Sequence, residues 1–266
     1  MEDGTFLLGA CGSLADAATL ARAGADFLEV SVQDFLALGE ENEGRFETNR
    51  VAVRESLPPV KNANLFLPGS LPCVGPAMDE QALLAYAQRA FERAGRAGIE
   101  GIVFGSGAAR TIPDGFPVER VRGQFVRLLV KFAVLAERVG VTLFVEPLNT
   151  GECNFINTLA EAAELVTACG HPNVMLVADT YHLGFADEGP EVIRQHGDLL
   201  RHFHVADYPS RRFPGADGQS YRPWFEALRA VGYSGKISVE CRWGNIADEA
   251  ILAFANLRRD LDPPTA

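Results

Sequence analysis

The chain has 266 residues, of which 47% are apolar and 22% charged, and its formal net charge is −11. That length fits one or two domains with a large buried core, and the balance of apolar to charged residues is that of a globular protein. The negative charge argues against a protein that lives on nucleic-acid phosphates or anionic lipid, while leaving room for a local basic pocket.

Taken in order, the sequence alternates apolar runs with helical patterns. Thr5–Ala10 reads as a strand, and Ser13 as the N-cap of a helix over Leu14–Ala23 that Gly24 closes. Asp26–Val32 is strand-like; its Glu29 reads either as a salt-bridged barrel acid or as a group pointing into a site. A helix over Phe46–Ser56 is stopped by Pro58 and Pro59, and Val60–Phe66 is a third strand. Asp79 opens a long amphipathic helix, Glu80–Ala97, ended by Gly98. Ile99–Phe104 is a fourth strand, and its exit loop carries Gly105-Ser106-Gly107 and Arg110. That loop reads first as a turn that needs glycine and second as an anion cradle of backbone N–H groups.

A helix over Val118–Val139 leads into the apolar run Val141–Val145, which ends in Glu146 and Pro147. Asn157 or Thr158 caps a helix reaching Ala168, and Asn173–Ala178 is a sixth strand. A short helix over Glu191–Asp198 precedes a seventh strand, Leu200–Val205, and a polar loop, Asp207–Tyr221. Helix Arg222–Val231, strand Lys236–Val239 and helix Asn245–Arg259 complete the pattern, with a frayed tail after it. Strand and helix alternate eight times over 1–266 without a linker, which predicts a single-domain (β/α)₈ TIM barrel. A doubly wound open sheet fits less well, because the first βα turn lacks a nucleotide fingerprint.

In such a barrel, sites form at the C-terminal ends of the strands. Four successive ends carry Glu146, Asp179, His204 and Glu240, at spacings of 33, 25 and 36 residues. Each has a bland reading by itself: Asp179 as a helix cap, His204 as a structural histidine, Glu146 and Glu240 as partners of a nearby arginine. Together they would bring three like charges into a cleft of low dielectric, and a cation among them is the simplest resolution. A ligand set rich in carboxylates suits Mn²⁺ or Mg²⁺, with Co²⁺ or Zn²⁺ as alternatives. The same loops carry Glu152, His182, Arg211 and Arg212, which suit hydroxyl and carbonyl oxygens of a ligand; Trp243 could wall the pocket or be an ordinary core aromatic.

The five cysteines are odd in number and form no CxxC pair, which fits reduced thiols better than a disulfide framework or a zinc ribbon. Cys153 and Cys241, beside candidate site residues, read as small hydrophobes. An acidic start without a basic leader, and no apolar run of membrane-spanning length, make a cytoplasmic protein with no membrane partner the expectation.

Val145–Asn149 (VEPLN), Ala178–His182 (ADTYH), His202–Asp207 (HFHVAD) followed by Arg211–Gly215 (RRFPG), and Ser238–Glu240 (SVE) resemble the xylose-isomerase-like TIM-barrel superfamily. Within it they are similar to the sugar isomerase/epimerase branch, which includes ketose 3-epimerases and hydroxypyruvate isomerases. The resemblance implies a divalent metal on Glu146, Asp179, His204 and Glu240, and substrate contacts from Glu152, His182 and Arg211. It implies a small sugar or sugar-derived substrate, no nucleic acid, and a homodimer or homotetramer. Two departures stand out: hydroxypyruvate isomerases usually place glutamine where this chain has His204, and Arg211 lies one residue further from His204 than in the ketose epimerases. The implied chemistry is proton transfer through an enediolate, with Glu146 and Glu240 as acid and base on opposite faces of the substrate. Dehydratases of the inosose and dehydroshikimate type, and a non-catalytic sugar-binding barrel, are the alternatives on the same fold. Five histidines and a negative net charge fit poorly with the superfamily's three-zinc DNA-repair enzymes.

Overall fold

Eight short runs form parallel strands, and closing on one another leaves no sheet edge unpaired. They do so in the computed structural model, which describes residues 6–36, 38–39, 42–55 and 58–262. The strands are β1 (Leu7–Cys11), β2 (Phe27–Ser31), β3 (Val60–Asn64), β4 (Gly101–Phe104), β5 (Thr142–Val145), β6 (Val174–Asp179), β7 (Leu200–Val205) and β8 (Lys236–Val239). They pair in sequence order, and β8 returns to β1 through Leu7–Ala10 against Lys236–Val239.

The helices of the outer layer follow the strands: α1 (Ala17–Ala23), α3 (Glu43–Glu55), α4 (Glu80–Ala97), α6 (Val118–Glu137), α7 (Leu159–Cys169), α9 (Glu191–His196), α10 (Arg222–Ala230) and α11 (Ile246–Leu261). Their ends follow local chemistry. Asp79 accepts the Ala82 N–H at the start of α4, and Gly98, at φ 76°, closes it in the left-handed conformation that glycine tolerates. Thr158, not Asn157, caps α7, in a reciprocal pair with Glu161. Three further helices, α2 (Val32–Phe35), α5 (Gly107–Arg110) and α8 (Thr180–Phe185), lie inside the loops that follow β2, β4 and β6. With four to six residues each, they are too short to show helical periodicity.

Strand bounds differ from the expected ones by a few residues. β3 stops at Asn64 because Leu65 turns left-handed at φ 54°. Thr5, Ser56 and the tail from 263 onward lie outside the described residues. Among the described residues, no helix is long and apolar enough to cross a membrane.

Alternation along each strand decides what faces the axis. Leu143, Val145, Leu176, Phe203, Ile237 and Val239 join the layer between strands and helices. Val103, Phe144 and Val177 form a separate cluster inside the barrel, with Met175 against it. The interior has little room: a Cβ on Gly101 would lie 2.1 Å from the Phe144 ring, and one on Gly9 would lie 2.6 Å from Phe27. Continuing the inward parity upward gives Glu29, Asn62, Asn64, Glu146, Asp179, His202, His204, Ser238 and Glu240. The barrel axis is apolar at one end and densely polar at the other.

Candidate active site

Register brings the strand tips together. Asp179 lies opposite His204, and His204 opposite Ser238, in adjacent strands. Glu146 follows β5, its N–H donating to the Phe104 carbonyl of β4, and Glu240 follows β8, its N–H donating to the Val205 carbonyl of β7. His204 Nδ1 is 3.4 Å from Glu146 Oε1 and 3.6 Å from Glu240 Oε2. Glu146 packs so tightly on the β4 loop that a Cβ on Gly105 would sit 2.2 Å from its Oε2. Gly107 is pressed against the Glu152 carbonyl in the same way, at 2.8 Å. The Gly-Ser-Gly stretch therefore serves close approach to the wall of the site. Arg110 is fully buried and donates to the Phe104 carbonyl at 3.1 Å.

Asp179 is both a cap and a site group. Its Oδ1 accepts the Tyr181 N–H at 2.8 Å, at the start of α8, while its buried Oδ2 has no hydrogen-bond partner. Glu146 Oε1, His204 Nδ1 and His182 Nε2 are likewise buried and unpartnered. Ligand atoms from Glu146, Asp179, His182 and Glu240 lie within 4.8 Å of one another.

The two histidines of the site are separated by what stands behind them. His182 Nδ1 receives the backbone N–H of Asn149 at 3.1 Å and the Asn149 amide at 3.0 Å. A backbone N–H can only donate, so Nδ1 is the acceptor and the proton of the neutral ring sits on Nε2. Burial, with the Arg211 charge adding, pushes the ring down to about 3, so it stays neutral. His182 thus presents an N–H donor to the cleft, 3.8 Å from Asp179 Oδ2. His204 is the reverse. Its Nε2 faces the Glu29 carboxylate at 3.1 Å, so Nε2 carries a proton; burial pushes the ring down, but the Glu29 and Glu240 charges outweigh it and hold it well above the ordinary range, so Nδ1 carries a proton too, which a bound cation would displace.

Glu29 is the hub of this support. Fully buried, it also accepts from His202 Nε2 and Ser238 Oγ, each at 2.7 Å. Burial pushes its carboxyl up, but the charges of His204 and His202 outweigh that and hold it well below the ordinary range. Both readings of Glu29 taken from the sequence meet here: it is a paired barrel acid, and its partner is a site residue.

On the rim, Arg211 stands with its backbone left-handed at φ 56°. Its guanidinium bridges Glu152 Oε1 at 3.1 Å and Glu240 Oε2 at 2.7 Å, over the face of Tyr181. Arg212 turns away and pairs with Asp217. The loop is braced by fully buried Asp207, which accepts the N–H groups of Gly215 and Asp217 and the Tyr221 hydroxyl. Glu152 also accepts from Asn149 at 3.0 Å. Asn64, which the sequence reading passed over as part of a strand, donates to Glu240 Oε1 at 3.0 Å. Trp243 packs on the core as a partly buried aromatic. Cys153 is buried, its thiol on the Phe155 carbonyl.

The carboxyls differ sharply. Burial raises Asp179 well above its usual range, with the Glu240 charge adding, and burial raises Glu146 as well. Burial also pushes Glu240 up, but His204 and Arg211 outweigh it and hold it at about 2. Unpartnered inward-facing oxygens on Glu146 and Asp179, the Glu240 carboxylate beside them and His204 Nδ1, whose proton a cation would displace, form a donor set that fits a hard or borderline divalent cation.

A barrel of this topology with this set of strand ends defines a class. A family profile described as xylose isomerase-like TIM barrel matches residues 17–259, and the chain belongs to that family. D-psicose 3-epimerase of Agrobacterium fabrum is 36% identical over 112 residues, which cover 41% of this chain and 37% of that protein. 3-Dehydro-D-guloside 4-epimerase of Escherichia coli is 33% identical over 109 residues, 41% of each chain. The chain thus spans under half the length of these curated relatives. The crystal structure of apo 3-keto-D-glucoside 4-epimerase from E. coli superposes with a TM-score of 0.80 over 96% of this chain and all of the other, at 23% identity, a likeness of fold.

Proposed function

We propose that this protein is a divalent-metal-dependent epimerase or isomerase of a keto sugar, with Mn²⁺ or Mg²⁺ held by Glu146, Asp179, His204 and Glu240. The observation that carries this is the pairing of two glutamates with the two differently tethered histidines: His204 turns Nδ1 and His182 turns its Nε2–H to the same space. The cation, when bound, supplies Lewis-acid stabilisation of negative charge on the substrate's carbonyl oxygen. The remaining work falls to the chain. Glu146 and Glu240, at the tips of β5 and β8, stand on either side of the space above His204. One removes the proton from the carbon next to the carbonyl, and the other returns a proton to the opposite face. In the reverse direction they exchange roles, as microscopic reversibility requires. Arg211 and Asn64 hold the Glu240 carboxylate by both oxygens, which fixes its direction of attack. Glu152 and His182 offer an acceptor and a donor to adjacent hydroxyls, and Asn149 sets both of them.

The relatives are named as epimerases of D-psicose and of a 3-dehydro glycoside, and the reading for this chain takes the reaction type they share. A panel of keto sugars with Mn²⁺ in deuterated water tests it. The expected result is solvent deuterium at the carbon beside the carbonyl, in product of unchanged mass otherwise. Deuterium-free product, or product that has lost water, overturns the epimerase reading, and the latter result points to a dehydratase.

A further inference from the structure

The two glutamates of the site are aimed in different ways. Glu240 is held by side chains, Arg211 on one oxygen and Asn64 on the other. Glu146 has no such clamp: its buried Oε1 has no hydrogen-bond partner, with His204 Nδ1 3.4 Å away. Backbone fixes it instead. Its N–H donates to the Phe104 carbonyl at 3.3 Å, and its Oε2 lies against the next residue of that strand exit, Gly105, where a Cβ would sit 2.2 Å away. A shift of the Phe104–Gly105 peptide is therefore a shift of Glu146.

Arg110 holds that peptide. Its Nη1 donates to the same Phe104 carbonyl at 3.1 Å, so one oxygen takes the guanidinium and the Glu146 N–H together, as its two lone pairs allow. The turn that carries Arg110, α5, is itself fastened to the chain leaving β3: the Cys73 N–H donates to the Ala109 carbonyl at 2.7 Å, and the Leu67 N–H to Ser106 Oγ at 2.9 Å. Packing alone does not call for a charge here. Arg110 is fully buried, and among the described residues its Nε and Nη2 have no hydrogen-bond partner, which leaves the Phe104 carbonyl as the one acceptor for its guanidinium. A methionine would fill similar space without burying an unpaired cation, which a dry interior strongly disfavours. A charged donor makes the stronger hydrogen bond to a carbonyl, and that bond is the one contact of this kind that the side chain has.

We infer that Arg110 is a positioning residue: by holding the last carbonyl of β4 it sets where Glu146 stands, and so how that face of the substrate exchanges its proton. This rests on the proposed epimerase activity and deepens it. Arg110 touches neither substrate nor cation in this role and acts through the Phe104–Gly105 peptide. The two acid–base groups are then each served by an arginine, Glu240 directly by Arg211 on the rim and Glu146 indirectly by Arg110 from within the wall.

Arg110→Met keeps an unbranched chain and removes the charge and the donors; Arg110→Gln, polar but uncharged, is the second variant should the first not fold. Two measurements are made on the full chain with Mn²⁺. In amide hydrogen exchange, the Glu146 N–H is expected to exchange about tenfold faster or more in the variant, while the Glu240 N–H, on the Val205 carbonyl, changes by less than about twofold. In solvent deuterium incorporation into the keto sugar, kcat is expected to fall about tenfold with KM within about twofold of wild type. The same substitution in a Glu146→Gln background is expected to change the residual kcat by less than about twofold, because its effect passes through that carboxylate. An unchanged Glu146 amide, or an equal loss of kcat in both backgrounds, overturns the inference and leaves the epimerase reading standing. No turnover of any keto sugar by the wild type overturns both.

Discussion

Replacing Glu29 with glutamine keeps the shape and removes one acceptor and the charge. Three donors converge on this carboxylate: His202 Nε2 and Ser238 Oγ at 2.7 Å and His204 Nε2 at 3.1 Å. An amide offers one oxygen and an NH₂ group. If the oxygen keeps His202, the NH₂ faces His204 Nε2, and the ring must lose the proton on Nε2 and keep the one on Nδ1 to accept from it. Nδ1 then has no lone pair for a cation. Loss of this oriented support costs about 10- to 100-fold in metal affinity. Breaking a buried pair of this kind costs about 3–5 kcal/mol of stability, because it leaves partner groups unmet in a dry interior. For a chain of this size that is a fall of roughly 6–20 °C in melting temperature. The assay is calorimetric titration of the folded variant with Mn²⁺, beside a thermal melt. A dissociation constant within twofold of wild type, with an unchanged melting temperature, refutes the argument that Glu29 sets the state of His204.

Glu146→Gln and Glu240→Gln should each lower solvent deuterium exchange by about 10²- to 10⁴-fold with the circular dichroism spectrum preserved, and near-full exchange in either variant removes that residue from the acid–base pair. Arg211→Lys keeps the charge but cannot bridge Glu152 and Glu240, so kcat/KM should fall about tenfold or more; a value within half of wild type shows that charge alone suffices. Asp260 is raised by burial but held lower by the Tyr221 N–H and the Ser220 hydroxyl, so its folded value lies below its unfolded one. Its stabilisation is present above the unfolded value and lost as pH falls through the folded one. Asp260→Asn should therefore cost about 1–2 kcal/mol at neutral pH and much less only once the pH is below the lowered folded value, well under pH ~4, as read by urea melts across pH. Gly101→Ala places a methyl on the Phe144 ring and should cost about 1–3 kcal/mol, relieved by adding Phe144→Leu.

The barrel and the four strand tips were legible because each depends on local pattern. An apolar run ending in an acid marks a strand end wherever it occurs, and the repeat length of a βα unit spaces such ends in order. What holds the tips was not legible. Glu29 and Ser238 are 209 residues apart and meet only through barrel closure. Asn64 resembles any polar residue at a strand end until the fold brings Glu240, 176 residues away, to it. His182 and His204 are chemically identical in the sequence, and only the groups behind them, a backbone N–H for one and a carboxylate for the other, make them different. The motif resemblance implies different roles for them; the structure groups His182 with Glu146, Asp179 and Glu240, and His204 with Cys11 and Glu29. Arg211 and Arg212 were indistinguishable for the same reason, since the turn that aims one inward is a backbone angle.

The polar column inside the barrel also bears on how this protein can be changed. His202 contacts Asn62 and the Lys236 carbonyl well below the strand tips, so the site is mechanically continuous with the middle of the barrel. Substitutions at Asn62, which meets the site through His202, should register in the affinity of the centre, and laboratory selection for new chemistry will meet a stability toll there. Among the described residues, a cleft over β1–β3 lined by Ser13 and Leu65 reaches that column at Asn64 and Cys11. On the proposed sugar-epimerase reading, the rim between Ser13 and Leu65 is where substrate scope can be redrawn with the barrel's interior left alone.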